Sequence, residues 1–166
     1  MQDHYSQPKG FVGRSICYLI YWEDQWHGAI VGGSTPRFLP GREDFFGNSD
    51  FLSIINNIFY HAIRDEEGKY PCRNFTSRVL KEFRSRCYQD WIVKYGDVPQ
   101  GFESLVELPR SGTLYRKDGW TETGITKGFT CKRVAGKGTD SWSGKRVWDT
   151  KNLRPKKVFS YKIISE

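Results

Sequence analysis

Asn74–Gly96, NFTSRVLKEFRSRCYQDWIVKYG, sets the fold class. Phe75, Val79, Leu80, Phe83, Cys87, Trp91 and Val93 recur at three- to four-residue spacing with Lys and Arg between them, which is the pattern of an amphipathic helix. Asn74 stands where an N-cap would, and Gly96 where a helix stops. The flanking segments read as strands for this helix to pack on. Upstream, Ser15–Ser34 (SICYLIYWEDQWHGAIVGGS) is a hairpin, with Ile16–Trp22 and Trp26–Val31 rich in β-branched and aromatic residues and Glu23–Gln25 as the turn. Gly33–Asp50, with two prolines and three glycines, is mostly irregular. Phe51–Ile63 reads as a short helical turn followed by a strand from Asn57 to Ile63.

Downstream, Phe102–Leu108 is a strand. Arg110–Gly128 (RSGTLYRKDGWTETGITKG) holds four glycines and four threonines beside Tyr115 and Trp120. It fits a strand-end loop, a helix of one or two turns and a return strand that together wall a site. Gly128–Ala135 is a further strand, Gly136–Gly144 a flexible Gly/Ser-rich connection, and Val158–Ile164 the last strand. The order predicts an α+β (α/β) domain, a mixed sheet with one long packed helix. Residues 1–135 form its core, and residues 136–166 form a basic C-terminal extension that completes the same domain.

The 166 residues are 37% hydrophobic but 16% aromatic, so large rings carry much of the burial and some are expected to be exposed for use. No apolar run is long enough to span a bilayer, and no signal-peptide pattern is read, so the expectation is a cytoplasmic protein with no membrane partner. Cys17, Cys72, Cys87 and Cys131 are widely spaced without Cys-x-x-Cys, which favours reduced thiols over zinc or disulfides.

The net charge of +7 is unevenly placed. Residues 127–166 carry 11 Lys/Arg against 3 Asp/Glu, whereas residues 1–126 are net −1. Trp142, Trp148, Phe129, Phe159 and Tyr161 are interleaved with those bases. Rings among cations suit stacking on bases and neutralising phosphates, so nucleic acid is the expected partner, with a solvated basic tail as the plain alternative and an acidic protein or an anionic cofactor as lesser ones. The residues expected to meet nucleic acid are Arg116, Lys117, Lys132, Arg133, Lys145, Arg146, Trp148, Lys156 and Lys157.

Glu103 and Glu107 alternate with Leu105, so both carboxylates face one side of their strand. Such a carboxylate serves as a general base toward an exocyclic amine or as a metal ligand. The alternative is an ion pair with Arg110 or Arg116. Tyr115 is placed to stack a base, and Trp120 to fill core. Gly112 and Thr113, at a helix start, offer an amide and a hydroxyl to an anion. Arg73, Asn74 and Ser77 open the long helix and could hold a cofactor's phosphate.

The block Asp90–Gly128 resembles the Druantia DruA family. Asp90 and Trp91 match its Asp-Trp pair, Glu103 and Glu107 its two acidic strand positions, and Gly112, Thr113, Tyr115, Arg116, Trp120, Gly124, Thr126 and Gly128 its closing series. His4–Ser6 and the pair Asn56, Asn57 also look like family positions. That family is similar to the phage Mom proteins, which modify adenine in phage DNA and have an acyltransferase-like fold. The resemblance implies a phage or mobile-element transferase that modifies a DNA base, adenine N6 first, and protects the DNA from restriction. It brings His4 and Tyr5 in as site residues beside Glu103, Glu107 and Tyr115. The Gly-rich pyrophosphate loop of ordinary acetyl-coenzyme A users is missing, and Cys72–Arg78 stands in its place. The donor therefore stays open between acetyl-CoA and another acyl or aminoacyl donor, with iron as a further cofactor. A non-catalytic nucleic-acid-binding module and an inhibitor of a host protein remain the other readings.

Overall fold

The structure is a computed structural model that describes residues 13–48, 50–134 and 145–163, with the backbone alone described for 130–134, 145 and 146. Its elements are β1 (Ser15–Trp22), β2 (Gln25–Ser34), α1 (Arg42–Phe46), β3 (Ile54–Ala62), α2 (Phe75–Tyr95), β4 (Gly101–Glu107), α3 (Thr113–Lys117), β5 (Thr121–Ile125), β6 (Thr130–Val134), β7 (Lys145–Asp149) and β8 (Lys156–Lys162). Six strands form one mixed sheet in the order β1-β2-β3-β4-β8-β5, and β6 and β7 form a separate two-stranded ladder. All neighbours in the large sheet are antiparallel except β3 and β4, which are parallel. The C-terminal strand β8 lies between β4 and β5, so the basic end of the chain completes the sheet. Among the described residues, no helix is long and apolar enough to cross a membrane.

The long helix lies where the periodicity puts it. Phe75, Leu80, Phe83, Cys87 and Trp91 are buried against the sheet, each large side chain contributing about 1.5–3 kcal/mol by its removal from water. Val93 does not belong to that face, being 87% exposed. Asn74 occupies the N-cap position at φ 58° but makes no side-chain capping bond, and Gly96 ends the helix at φ 77°. The helix approaches β2 at Gly32, where a Cβ would stand 2.6 Å from Cys87 Sγ. Arg84 on α2 binds Asp118 at 3.0 Å, and Trp120 Nε1 donates to the same carboxylate at 2.9 Å. These bonds fasten the short helix α3 and its return strand to the long one.

Two strand readings are corrected. The segment before Asn57 is not helical, and β3 begins at Ile54. The Gly128–Ala135 strand is Thr130–Val134, and its partner β7, KRVWD, shows no alternation that would announce it. The Gly136–Gly144 connection lies outside the described residues.

A cleft opens inside the sheet. The β2–β3 register slips between Val31 and Gly32, which pair with Phe59 and Asn57, leaving Ile58 as the extra residue of a bulge. The parallel β3–β4 register runs from Ile54↔Gly101 to Asn57↔Ser104 and stops there. Beyond it, β3 continues along β2 to Ala62 and β4 along β8 to Glu107. Each strand keeps its outer partner, and a gap is left between them.

Candidate active-site cleft

The gap is a cleft of about 650 Å3. Asn56–Tyr60 of β3 line one wall and Ser104–Glu107 of β4 the other. The Arg110–Tyr115 segment roofs it, and Lys156 of β8 stands at its lip. The roof follows β4 through a turn in which the Arg110 N–H donates to Glu107 O at 3.1 Å. Gly112 starts α3 at φ 73°, and a Cβ there would lie 2.3 Å from the Phe159 ring, so only glycine lets the roof settle on β8.

Asn57 organises the inner end of the cleft. Its Nδ2 donates to Val31 O at 3.2 Å and to Phe59 O at 3.1 Å, bracing the bulge. Its Oδ1 accepts the Tyr115 hydroxyl at 2.7 Å. Ser104 Oγ donates to Asn57 O at 3.2 Å, which locks the point where the parallel strands separate. The Tyr115 ring stacks on Phe159 at 5.4 Å and meets Trp120 edge-on at 5.1 Å. Tyr115 is thus both core and cleft wall, while Trp120 is core as expected. Tyr60 donates its hydroxyl to Thr76 O at 2.9 Å, and burial raises its pKa well above the ordinary phenol range.

Glu107 lines the cleft, half-buried at the end of β4 in register with Lys156. Glu103 does not join it. Glu103 is fully buried, and both of its oxygens are taken. Arg42 Nε donates to Oε1 at 2.9 Å, Arg42 Nη2 to Oε2 at 2.6 Å, and Thr35 Oγ1 to Oε2 at 2.7 Å. The expected ion pair therefore exists, but with a partner 61 residues upstream rather than with Arg110 or Arg116. Beside it in register, Asn56 Oδ1 is buried with no hydrogen-bond partner among the described residues.

A second hollow of about 620 Å3 adjoins the cleft through Tyr60, Arg110, Thr113 and Leu114, which line both. It reaches the start of α2 at Asn74 and Ser77 and is flanked by Arg64 and Lys117. Four of the expected cofactor residues, Asn74, Ser77, Gly112 and Thr113, thus lie along one continuous groove. Arg73 is exposed and is not part of its lining.

The expected nucleic-acid residues divide. Arg116 pairs with Glu122, donates to Ser111 O at 2.7 Å and covers the Phe159 ring, so it serves the wall. Lys157 lies 3.7 Å from the same Glu122. Trp148 is 60% exposed on β7. Lys132, Arg133, Lys145 and Arg146 are on the β6–β7 ladder, and their side chains lie outside the described residues, as do His4 and Tyr5. Among the described residues, no three of His, Cys, Asp and Glu gather as a metal-ligand set.

Tyr60 and Arg42 are the working residues that the sequence reading does not single out, and Asn57 is marked there only as a position of the family resemblance. An Asn-Asn pair inside an apolar strand was the available signal for Asn57. Nothing local marks Arg42.

No family model matches the chain, and no curated protein matches it.

Proposed function

We propose that the protein is a group-transfer enzyme acting on nucleic acid, a Mom-like transferase that modifies a DNA base, with the adenine N6 amine as acceptor. One observation carries the proposal. Two parallel strands separate at a braced bulge, and the resulting cleft holds a carboxylate at one end and runs on to a long helix's N-terminus at the other. The basic balance of residues 127–166 supports a polyanionic substrate.

The residues fit a two-ended substrate arrangement. Asn74, Ser77, Arg64 and Lys117 offer an anion-favouring end, where the start of α2 adds its partial positive charge. An acyl or aminoacyl donor bound along the groove would supply the activated carbonyl. Glu107 takes the proton that the attacking amine loses as the new N–C bond forms; the bond between the donor's carbonyl carbon and its carrier breaks, and the carrier leaves as a thiol or alcohol with that proton. Tyr115, whose hydroxyl donates to Asn57, braces the cleft wall beside the place of that amine. Glu103 is paired with Arg42, which ties the Pro36–Arg37 carbonyls, and stands outside the cleft. In phage or mobile-element DNA, such a modification would block restriction.

Nucleoside mass spectrometry of DNA from cells expressing the protein tests the proposal, which expects a modified deoxyadenosine. A non-catalytic binding module is the second reading. It is favoured by the structural engagement of Glu103 and Tyr115, and it gains if the DNA stays unmodified while binding the protein.

A further inference from the structure

We propose that the sheet face opposite α2 carries a track for single-stranded DNA, binding the nucleotides that flank the acceptor base and running from Phe38 past Phe129 to Glu107. This specifies how the substrate reaches the cleft and rests on the nucleic-acid reading above.

Alternation along β4 defines the two faces. Phe102 and Val106 pack with the α2 side chains, so Glu103, Leu105 and Glu107 point the other way. On that other face lies a hollow of about 610 Å3 between the Arg37–Glu43 segment and the Ile125–Phe129 segment. A second, of about 450 Å3, continues it toward β4 and shares Leu39, Thr126, Lys127 and Phe129 with it. That second hollow in turn shares Leu105, Glu107 and Lys156 with the cleft. The path is continuous, and it meets the proposed base from the side away from the α2 N-terminus.

Its chemistry alternates rings and cations. Phe38 is 84% exposed and Phe129 48%. The Arg37 guanidinium sits 5.3 Å from the centre of the Phe38 ring, and Lys127, Arg154 and Lys156 follow along the path. Glu43 and Glu107 are the acids in the lining, and Glu107 stands at the reacting end. A base stacked on an exposed ring with its phosphate beside a cation is how unpaired strands are gripped, and a paired base in a duplex offers no such face.

The Phe38 loop is also held in place. Arg42 donates to the carbonyls of Pro36 and Arg37, each at 2.7 Å, and its charge is matched by buried Glu103. The buried pair thus presents an apolar ring to solvent from a fixed loop, whereas an idle surface loop would need no such anchor.

The test uses the whole chain and a short fluorescein-labelled single-stranded DNA, read by anisotropy over a salt series. Phe38→Ala and Phe129→Ala remove exposed rings. Each should weaken binding roughly tenfold with melting temperature and salt slope unchanged. Lys127→Glu and Arg154→Glu should instead flatten the salt slope. The track is overturned if both ring variants bind as the unaltered chain does, if the unaltered chain does not bind the single strand, or if polyglutamate competes as well as DNA. Nucleoside analysis of DNA from the same cells separates the two proposals. Modified bases alongside unaffected ring variants remove the track and leave the transferase. A ring-dependent track without modified bases supports the track and removes the transferase.

Discussion

Tyr115 donates its hydroxyl proton to Asn57 Oδ1 at 2.7 Å, and that one bond ties the roof helix α3 to the bulged strand β3. Tyr115→Phe keeps the stack on Phe159 but leaves a buried amide oxygen unpaired, at a cost of about 1–3 kcal/mol. Denaturant unfolding should show that loss. On the proposed reading, turnover should fall further than stability explains, because the bond that holds the cleft's roof to β3 is gone. Turnover that simply tracks the folded fraction would make Tyr115 structural only.

Arg42 and Glu103 form a buried pair, and among the described residues the hydrogen-bond partners of the guanidinium lie in the Thr35–Arg37 segment or on β4 itself. Arg42→Ala strands a buried carboxylate and should destabilise the fold by about 3–5 kcal/mol. The double variant Arg42→Met with Glu103→Leu removes both charges and should recover most of that stability. A double variant as unstable as the single one would locate the cost in packing rather than in charge.

Burial pushes the Cys87 thiol up to about 12 from 9.0 and raises the Tyr18 and Tyr60 hydroxyls as well. Each group holds its proton more tightly when folded than when unfolded. Stability is therefore full below about pH 9 and falls as pH rises from 9 toward 12. Melting temperatures taken across that range should decline steadily. At neutral pH a thiol reagent should label exposed Cys17 and spare Cys87 until the chain unfolds. Rapid labelling of Cys87 in the native protein would show that α2 is not seated on β2.

Gly112→Ala sets a Cβ against the Phe159 ring at a positive φ. The roof must lift, so the variant should lose stability and cleft function together, measured by melting temperature and by product formation. An unchanged melting temperature would mean that α3 is not seated on β8.

Helix α2 and the β1–β2 hairpin were legible in the sequence because their signals are local. Phe75 to Trp91 repeats at helical spacing, and two strands flank the polar Glu23–Asp24 turn, whose residues sit at φ 47° and 60°. The short helix and return strand after Arg110 were legible from glycines and threonines that fit little else. What escaped was non-local. The insertion of β8 between β4 and β5, the parallel pairing of β3 with β4, and the reach of Arg42 across to Glu103 join residues far apart in the chain. The alternation of Glu103 and Glu107 was right about their shared side, yet it could not show that one is enclosed by a guanidinium while the other lines a cleft.

The most direct measurement compares nucleosides from DNA co-expressed with the unaltered chain and with Glu107→Gln. Glutamine keeps the size and hydrogen-bonding capacity of the side chain and removes the base. Modified deoxyadenosine should appear with the unaltered chain and fall by about 100-fold or more with Glu107→Gln, while melting temperature and DNA binding stay near normal. Equal product from Glu107→Gln, or a lowered melting temperature with modification intact, would show that Glu107 is a structural carboxylate and not the base.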